Sequence, residues 1–298
     1  MRISTGQIFR QSVTEIQDRQ KNIFESQKQI ATGKKYDSPS DSPIDYVAAE
    51  KIKQKSNTIE QMNRGMNYWL ETRAREEESA LDSVIEKVQD IREKVVGSVN
   101  GIQDGFTLDM IASEIDGIKE DVLSIANQKS SNGEYIFGGT KSLDVQPFVE
   151  NADGDIEYGG SLTSREIMIN DSPPRTIPLG QTGDKVFGDA FDVLDGVVEE
   201  LRNIPADPEA ISATLDGLDS VLDRLNSART DTGIRRSTVE NQLEMNADRL
   251  LDLEQSRADI EDVDLVEAIS QFQLEQTAYE AALKAFAETS RLSLFAFI

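Results

Sequence analysis

Residues 265–286, LVEAISQFQLEQTAYEAALKAF, place mostly apolar side chains at alternating intervals of four and three residues. Side chains at these intervals lie on one face of an α-helix, and the alternation is the heptad pattern of coiled coils. The positions are Leu265, Ile269, Phe272, Gln276, Tyr279, Leu283 and Phe286. The rhythm continues through Ser290 and Ser293 to Phe297, within the apolar terminus RLSLFAFI at 291–298. Burying one such side chain contributes roughly 1.5–3 kcal/mol, so this terminus needs a partner.

The N-terminal region carries a second, narrower stripe. Its apolar members recur every seven residues and are Phe9, Ile16, Ile23 and Ile30. Polar Gln20 and Gln27 occupy intervening positions, so the stripe is weak for an isolated helix and suited to packing on partners. We therefore predict that both ends form assembly surfaces, although an intramolecular bundle packed only against itself is the alternative. The predicted interface residues are Phe9, Ile16, Ile23, Ile30, Leu265, Ile269, Phe272, Tyr279, Leu283, Phe286, Leu294, Phe295 and Phe297.

Helix-stop and helix-start signals follow the N-terminal stripe, in TGKKYDSPSDSPIDY at 32–46. Gly33 is typical of a helix C-cap. Ser42 before Pro43 predicts an N-cap and a first helical residue, and Asp45 faces the positive end of the helix dipole. The predicted helix-start signature is Ser40, Asp41, Ser42 and Pro43.

Further apolar stripes predict long helices in the rest of the chain. They span residues 52–69, 81–95, 111–125 and 211–225. The first two belong to one helix predicted from about 43 to 96, and their different registers predict a bend or a loss of pairing near residues 76–78. Residues 234–298 contain no Gly or Pro, so they have a potential helical span of about 100 Å.

The middle of the chain changes character around Gly133. Short apolar or alternating runs, broken by Gly, Pro, Asn and Asp, predict β-strands and hairpins there. The runs are EYIFGGT, PFVENADGDIEYGG and REIMINDSPPRTIPL. Asp153-Gly154 predicts a tight hairpin turn.

The predicted fold class is α+β and mainly α: an elongated rod of long antiparallel helices from both chain ends, with a small inserted β-rich domain. The predicted divisions are an N-terminal assembly helix and linker at 1–42, an outgoing helical half at 43–132, the β-rich domain at 133–188, a returning helical half at 189–259 and a C-terminal assembly helix at 260–298. The net charges of the two chain ends are opposite, which suits helices that lie side by side. Residues 1–35 carry a net charge of +4 and residues 259–298 carry −6.

The composition argues against several functions. The 55 acidic and 31 basic residues give a net charge of −24, which disfavours nucleic acid and anionic membranes as partners. The chain has no Cys and no His, which excludes thiolate and histidine catalysis and most transition-metal sites. No apolar run is long enough to span a bilayer, and the start MRISTGQIFRQS lacks the apolar segment of a signal peptide. We expect no cofactor.

Two acidic clusters invite a functional interpretation. Asp153, Asp155 and Glu157 alternate along the chain, but they lack the twelve-residue pattern of a calcium loop, and we interpret them as a surface hairpin. The cluster at 261–267 more simply begins or lines a helix. Since no carboxylate pair is singled out for glycosidase-like chemistry, we predict no catalytic, metal or cofactor site and no enzymatic activity.

Several motifs resemble the flagellin superfamily, and the resemblance covers nearly the whole chain. They are MRIST at the start, QIATGKKYDSPSDSP at 29–43, FGGT at 137–140, PF at 147–148 and LSLFAFI at the end. Ser42 stands where the family usually has a second Asp, and Ala296 stands where an acidic residue is common. The central EYIFGGT, PF and IEY motifs favour the proteins of the hook–filament junction over flagellin itself.

The resemblance implies a structural component of the bacterial flagellum. It implies an adaptor that joins the hook, through the first hook-associated protein, to the flagellin filament, in a ring of subunits paired through coiled-coil terminal helices. It also implies export through the flagellar type III apparatus to the cell exterior, with a cytoplasmic export chaperone at the C-terminal region. The alternatives are a flagellin-type filament subunit, an intracellular coiled-coil signalling adaptor and a secreted polysaccharide-degrading enzyme.

Overall fold

The computed structural model describes residues 5–100, 104–152, 154–203 and 207–295. Its helices are α1 (Thr5–Thr32), α2 (Pro43–Trp69), α3 (Arg75–Asn100), α4 (Gly105–Ala126), α5 (Gly183–Phe187), α6 (Ala190–Arg202), α7 (Pro208–Glu261) and α8 (Leu265–Phe295). Its strands are β1 (Phe148–Glu150), β2 (Ile156–Tyr158), β3 (Glu166–Asp171) and β4 (Pro174–Pro178). The predicted fold class, mainly α with a small inserted β region, is confirmed.

The contacts divide the chain into two compact units. Unit 1 comprises residues 1–57 and 249–298, and unit 2 comprises residues 58–248. Both α2 and α7 contribute residues to each unit.

Unit 2 contains a continuous hydrophobic core. It is formed by one face each of α3, α4, α6 and the first part of α7. The stripes predicted for α3, α4 and α7 lie in it, although Ile111, Ile125, Leu215 and Leu222 are only partly buried. Phe148 of β1 anchors the β region to this core, because its ring lies 5.1 Å from Phe187 and 5.3 Å from Phe191. Aromatic rings at these separations stabilise beyond the area that they bury. The β region therefore shares one core with the helices.

A π-helical turn at Leu70–Ala74 joins α2 to α3. A π turn inserts one residue into the helical repeat and so rotates the face that follows it. Met66 and Trp69 are fully buried before the turn and Leu81 is fully buried after it, so both stripes face the interior despite their different registers. The change of register expected near residues 76–78 therefore occurs a few residues earlier, as a π turn and not as a bend or a loss of pairing.

The β region consists of two separate antiparallel hairpins. Strand β1 pairs with β2, and β3 pairs with β4 across a register shift between Met168 and Asn170. The prediction of a strand for EYIFGGT was wrong. Tyr135 forms only an isolated bridge with Lys129. Gly139 has φ +62°, and a Cβ there would lie 2.5 Å from the Ser161 carbonyl oxygen, so this segment is a tight loop that requires glycine.

A buried polar network crosses the interior of unit 2. The Glu77 carboxylate accepts hydrogen bonds from Arg235 Nη2 at 2.7 Å, Thr232 Oγ1 at 3.1 Å and the Gln181 backbone N–H at 3.3 Å. The Glu77 and Arg235 side chains are 2% and 10% exposed. These bonds tie α3 to α7 and to the segment after β4.

We predict that Arg235→Ala destabilises unit 2 by about 3–5 kcal/mol, because it leaves the Glu77 carboxylate buried without its counter-ion. The matched control is Arg229→Ala, which removes a half-exposed pair with Asp82 and costs about 0–1 kcal/mol. Urea unfolding followed by circular dichroism measures both free energies. Equal losses in the two variants would contradict the role assigned to the buried pair.

Candidate assembly interface

The two terminal helices of unit 1 form an antiparallel pair. Near one end of the pair, the rings of Phe9 and Phe286 lie 5.0 Å apart. Further along, Ser26 Oγ donates a hydrogen bond to Glu275 Oε2 at 2.9 Å. Since the residue numbers rise on α1 as they fall on α8, the helices run in opposite directions.

The residues predicted as an assembly surface fall into three groups. Six are partly buried, and these are Ile16, Ile23, Ile30, Phe272, Tyr279 and Phe286. Four remain exposed, and these are Phe9 (51%), Leu265 (48%), Ile269 (43%) and Leu283 (40%). The side chains of Leu294 and Phe295, and the whole of Phe297, lie outside the described residues. The helix pair therefore covers only part of the predicted set.

The face of α8 that lies against α1 differs from the predicted heptad at every second position. It passes through Ala268, Glu275 and Ala282, which are buried or partly buried. Ile269 and Leu283 each lie one residue further along and stay exposed. The small alanines and the Ser26–Glu275 hydrogen bond explain this difference, because they let the two backbones approach where larger side chains would hold them apart.

Sequence reasoning missed three strongly exposed apolar residues on these helices. Phe24, Val266 and Leu274 are 66%, 77% and 65% exposed. They lie outside the series from which the interface was predicted. The signal in the sequence was the presence of large apolar residues on more than one face of the same helix, which a two-helix pair cannot cover.

Unit 1 has almost no core of its own. Of the forty buried apolar residues in the described chain, only Tyr36, Ala49 and Ala268 belong to unit 1. Of the nineteen exposed large apolar residues, ten belong to unit 1. An excess of exposed apolar surface marks an interaction site in a protein that is otherwise well packed.

The predicted helix-start signature lies in the turn between α1 and α2. Gly33 has φ +72° and ends α1, as predicted, and α2 begins at Pro43. The Asp41 carboxylate accepts the backbone N–H groups of Asp37 and Ser38. These two bonds hold the pKa of Asp41 below its usual value, since they favour the charged form.

The side chains around α2's first residue differ in detail from the prediction. Ser42 Oγ donates a hydrogen bond to the Asp45 carboxylate at 2.7 Å. A capping hydroxyl was expected to bond a backbone N–H of the first turn, and here it bonds an acidic side chain of that turn. Ser40 and Pro43 are exposed. Tyr36 is buried, and burial raises the pKa of its hydroxyl.

This turn also separates α7 from α8. The Val263 N–H donates to the Gly33 carbonyl at 2.9 Å, and the Lys35 N–H donates to the Glu261 carbonyl at 2.7 Å. Lys34 Nζ lies 3.1 Å from the Glu261 carboxylate. The potential helical span over residues 234–298 is therefore interrupted between Glu261 and Leu265, because backbone pairing with the turn replaces helical hydrogen bonds there.

Asp264 begins α8 by capping it. Its Oδ1 accepts the backbone N–H groups of Val266 at 2.9 Å and Glu267 at 3.2 Å. The acidic cluster at 261–267 thus begins a helix, which was the simpler interpretation of its sequence.

The geometry of unit 1 suits helix packing better than small-molecule chemistry. An open groove of about 580 Å³ beside α1 is lined mainly by Lys, Asp and Glu side chains around Phe24 and Tyr36. Within the described ranges, no group of acidic residues is arranged to hold a metal ion. None of the described helices is both long and apolar enough to cross a membrane.

Comparison with known proteins identifies the helical ends. The bacterial flagellin N-terminal helical region matches residues 3–142, and the bacterial flagellin C-terminal helical region matches residues 215–298. Flagellar hook-associated protein 3 of Escherichia coli (strain K12) is 30% identical over 320 residues and covers 99% of both chains. Flagellin of Bacillus subtilis (strain 168) is 27% identical over 204 residues and covers 65% of this chain and 66% of its own.

A solved structure also has this fold. The crystal structure of the flagellar junction protein FlgL from Legionella pneumophila matches with a TM-score of 0.55 and 18% identity, over 64% of this chain and 99% of its own. The two matched helical regions define a flagellin-type protein of the bacterial flagellum. Within that class, the chain belongs to the family of flagellar hook-associated protein 3, which is a structural family.

We predict that Asp264→Ala destabilises α8 by about 1 kcal/mol, because two N–H groups of its first turn lose their acceptor. Asp262→Ala is the matched control, since Asp262 is exposed and pairs with Lys34 through the backbone. Hydrogen exchange of the α8 amides measures the effect. Faster exchange in both variants alike would contradict the capping role.

Proposed function

We propose that this protein is the adaptor that joins the flagellar hook to the flagellin filament. It binds the first hook-associated protein on one side and flagellin on the other, and it assembles with further copies of itself through α1 and α8. The match over 99% of a hook-associated protein, against 65% of this chain for a flagellin, favours the junction over the filament.

The observation that carries the proposal is the incomplete burial of unit 1. Its helices expose apolar side chains on several faces, and Phe24, Val266 and Leu274 are each more than half exposed. A monomer that left these side chains in water would gain little from folding the two ends. Neighbouring subunits supply the missing contacts.

The proposal includes the route by which the chain reaches the junction. The chain passes unfolded through the flagellar type III apparatus and folds outside the cell. A chain without cysteine forms no covalent crosslink that would hinder this passage. In the cytoplasm, an export chaperone covers the C-terminal region, where Leu265, Val266 and Ile269 are exposed.

The double variant Phe9→Ala/Phe286→Ala tests the proposal, because it removes the ring contact that joins α1 to α8. In cells that lack the wild-type protein, we expect this variant to leave hooks without filaments in electron micrographs. Deletion of residues 289–298 is expected to give the same result, with unit 2 still folded by circular dichroism.

Phe106→Ala is the matched control, since Phe106 is 73% exposed and belongs to unit 2. It is expected to restore filaments to wild-type number. Normal filament growth with the Phe9/Phe286 double variant and with the deletion would overturn the proposal.

A further inference from the structure

The outer face of α1 carries an exposed, basic stripe that no other described helix covers. The stripe consists of seven exposed positions that follow the 4, 3 spacing from residue 10, and we call it the α1 stripe. They are Arg10, Thr14, Gln17, Lys21, Phe24, Lys28 and Ala31. The stripe contains three cations and no anion, with Phe24 as its large apolar side chain.

The cations of the α1 stripe have only exposed partners within the chain. Lys21 lies 3.5 Å from Glu25, and their side chains are 74% and 57% exposed. Lys28 lies 2.9 Å from Asp37, with exposures of 44% and 50%. Exposed pairs of this kind contribute little to stability, so the cations remain available to another molecule.

The outer face of α8 carries a stripe with the same spacing in reverse order. We call this the α8 stripe, and all its positions are exposed. They are Glu267, Ser270, Leu274, Thr277, Ala281, Lys284 and Glu288. Leu274 is its large apolar side chain, an acidic residue lies at each end, and Lys284 is its one cation.

The two stripes are complementary in one antiparallel register. When Phe24 is placed opposite Leu274, the 4, 3 spacing of α1 coincides with the reversed spacing of α8. Arg10 then lies opposite Glu288, and Lys28 lies within one turn of Glu267. Apolar and oppositely charged side chains that face each other in this way set the register and direction of helix pairs.

The stripes of one molecule cannot meet each other, because α1 and α8 already contact through different faces. From the complementarity we infer that the α1 stripe of each copy docks on the α8 stripe of a second copy, in the register that pairs Phe24 with Leu274 and Arg10 with Glu288. This inference rests on the proposed function and names the partner surface of its assembly site.

The register also sets how copies are oriented. Helices α1 and α8 are antiparallel within one chain, and they are antiparallel in the proposed contact between chains. Neighbouring copies therefore point the same way. Each copy uses its α1 stripe on one neighbour and its α8 stripe on the other, which is a heterologous contact that forms a ring or a helical array.

A charge-reversal cycle on the full-length chain tests this register. Arg10→Glu and Glu288→Arg each place like charges opposite one another, and we expect each to weaken self-association about tenfold at low salt. The double variant exchanges the two charges and so restores the attraction, and we expect association within about twofold of wild type. Light scattering over a concentration series measures the association, with Lys51→Glu, an exposed reversal on α2, as the control.

Recovery in the double variant, with the Lys51 variant unchanged, would support the register. Additive losses in the double variant would overturn it, whatever the cause of self-association. The outcome is separate from that of the proposed function, because neither substitution removes the Phe9–Phe286 contact. If the cycle fails while the Phe9/Phe286 variant still blocks filament growth in cells, the adaptor function stands and this docking surface is wrong.

Discussion

The structure of unit 1 depends on a limit that geometry places on a pair of helices. Each helix can press only one narrow face against the other, and that face buries too little apolar surface to offset the entropy of ordering two long segments. On α1 and α8 the shared face is further reduced, because it passes through Ala268, Glu275 and Ala282. The remaining apolar side chains therefore need partners from outside the chain. Under the proposed function, other subunits of the flagellum supply these partners.

Unit 2, in contrast, buries much of its apolar surface within the chain. Four helices share one core with the β region, and the buried Glu77–Arg235 pair is held by several hydrogen bonds. The π turn at Leu70–Ala74 lets two apolar stripes of different register face the same interior. These features give unit 2 a packed interior of its own. The contrast with unit 1 supports the proposal that unit 1 is the part that assembles.

Much of this organisation could be predicted from the sequence. Long stripes with helical spacing located the helices of unit 2, and Gly33 and Pro43 marked the ends of α1 and α2. No Gly or Pro marks the end of α7, and the contact that ends it could not be predicted, because it is a backbone bond to the distant Gly33 carbonyl. The loop at EYIFGGT was also missed, since its apolar residues are buried by tertiary contacts without strand pairing. Heptad spacing predicts an interface on α1 and α8, and the strongly exposed Phe24 and Leu274 lie outside that heptad series.

We infer that the terminal helices gain their stability from assembly, and hydrogen exchange on the isolated monomer and on the assembled protein measures this. We expect weak protection of the amides in residues 9–30 and 265–288 of the monomer, strong protection across unit 2, and a large gain for the terminal helices alone after assembly. Protection of α1 and α8 in the monomer equal to that of unit 2 would show that these helices are stable without partners.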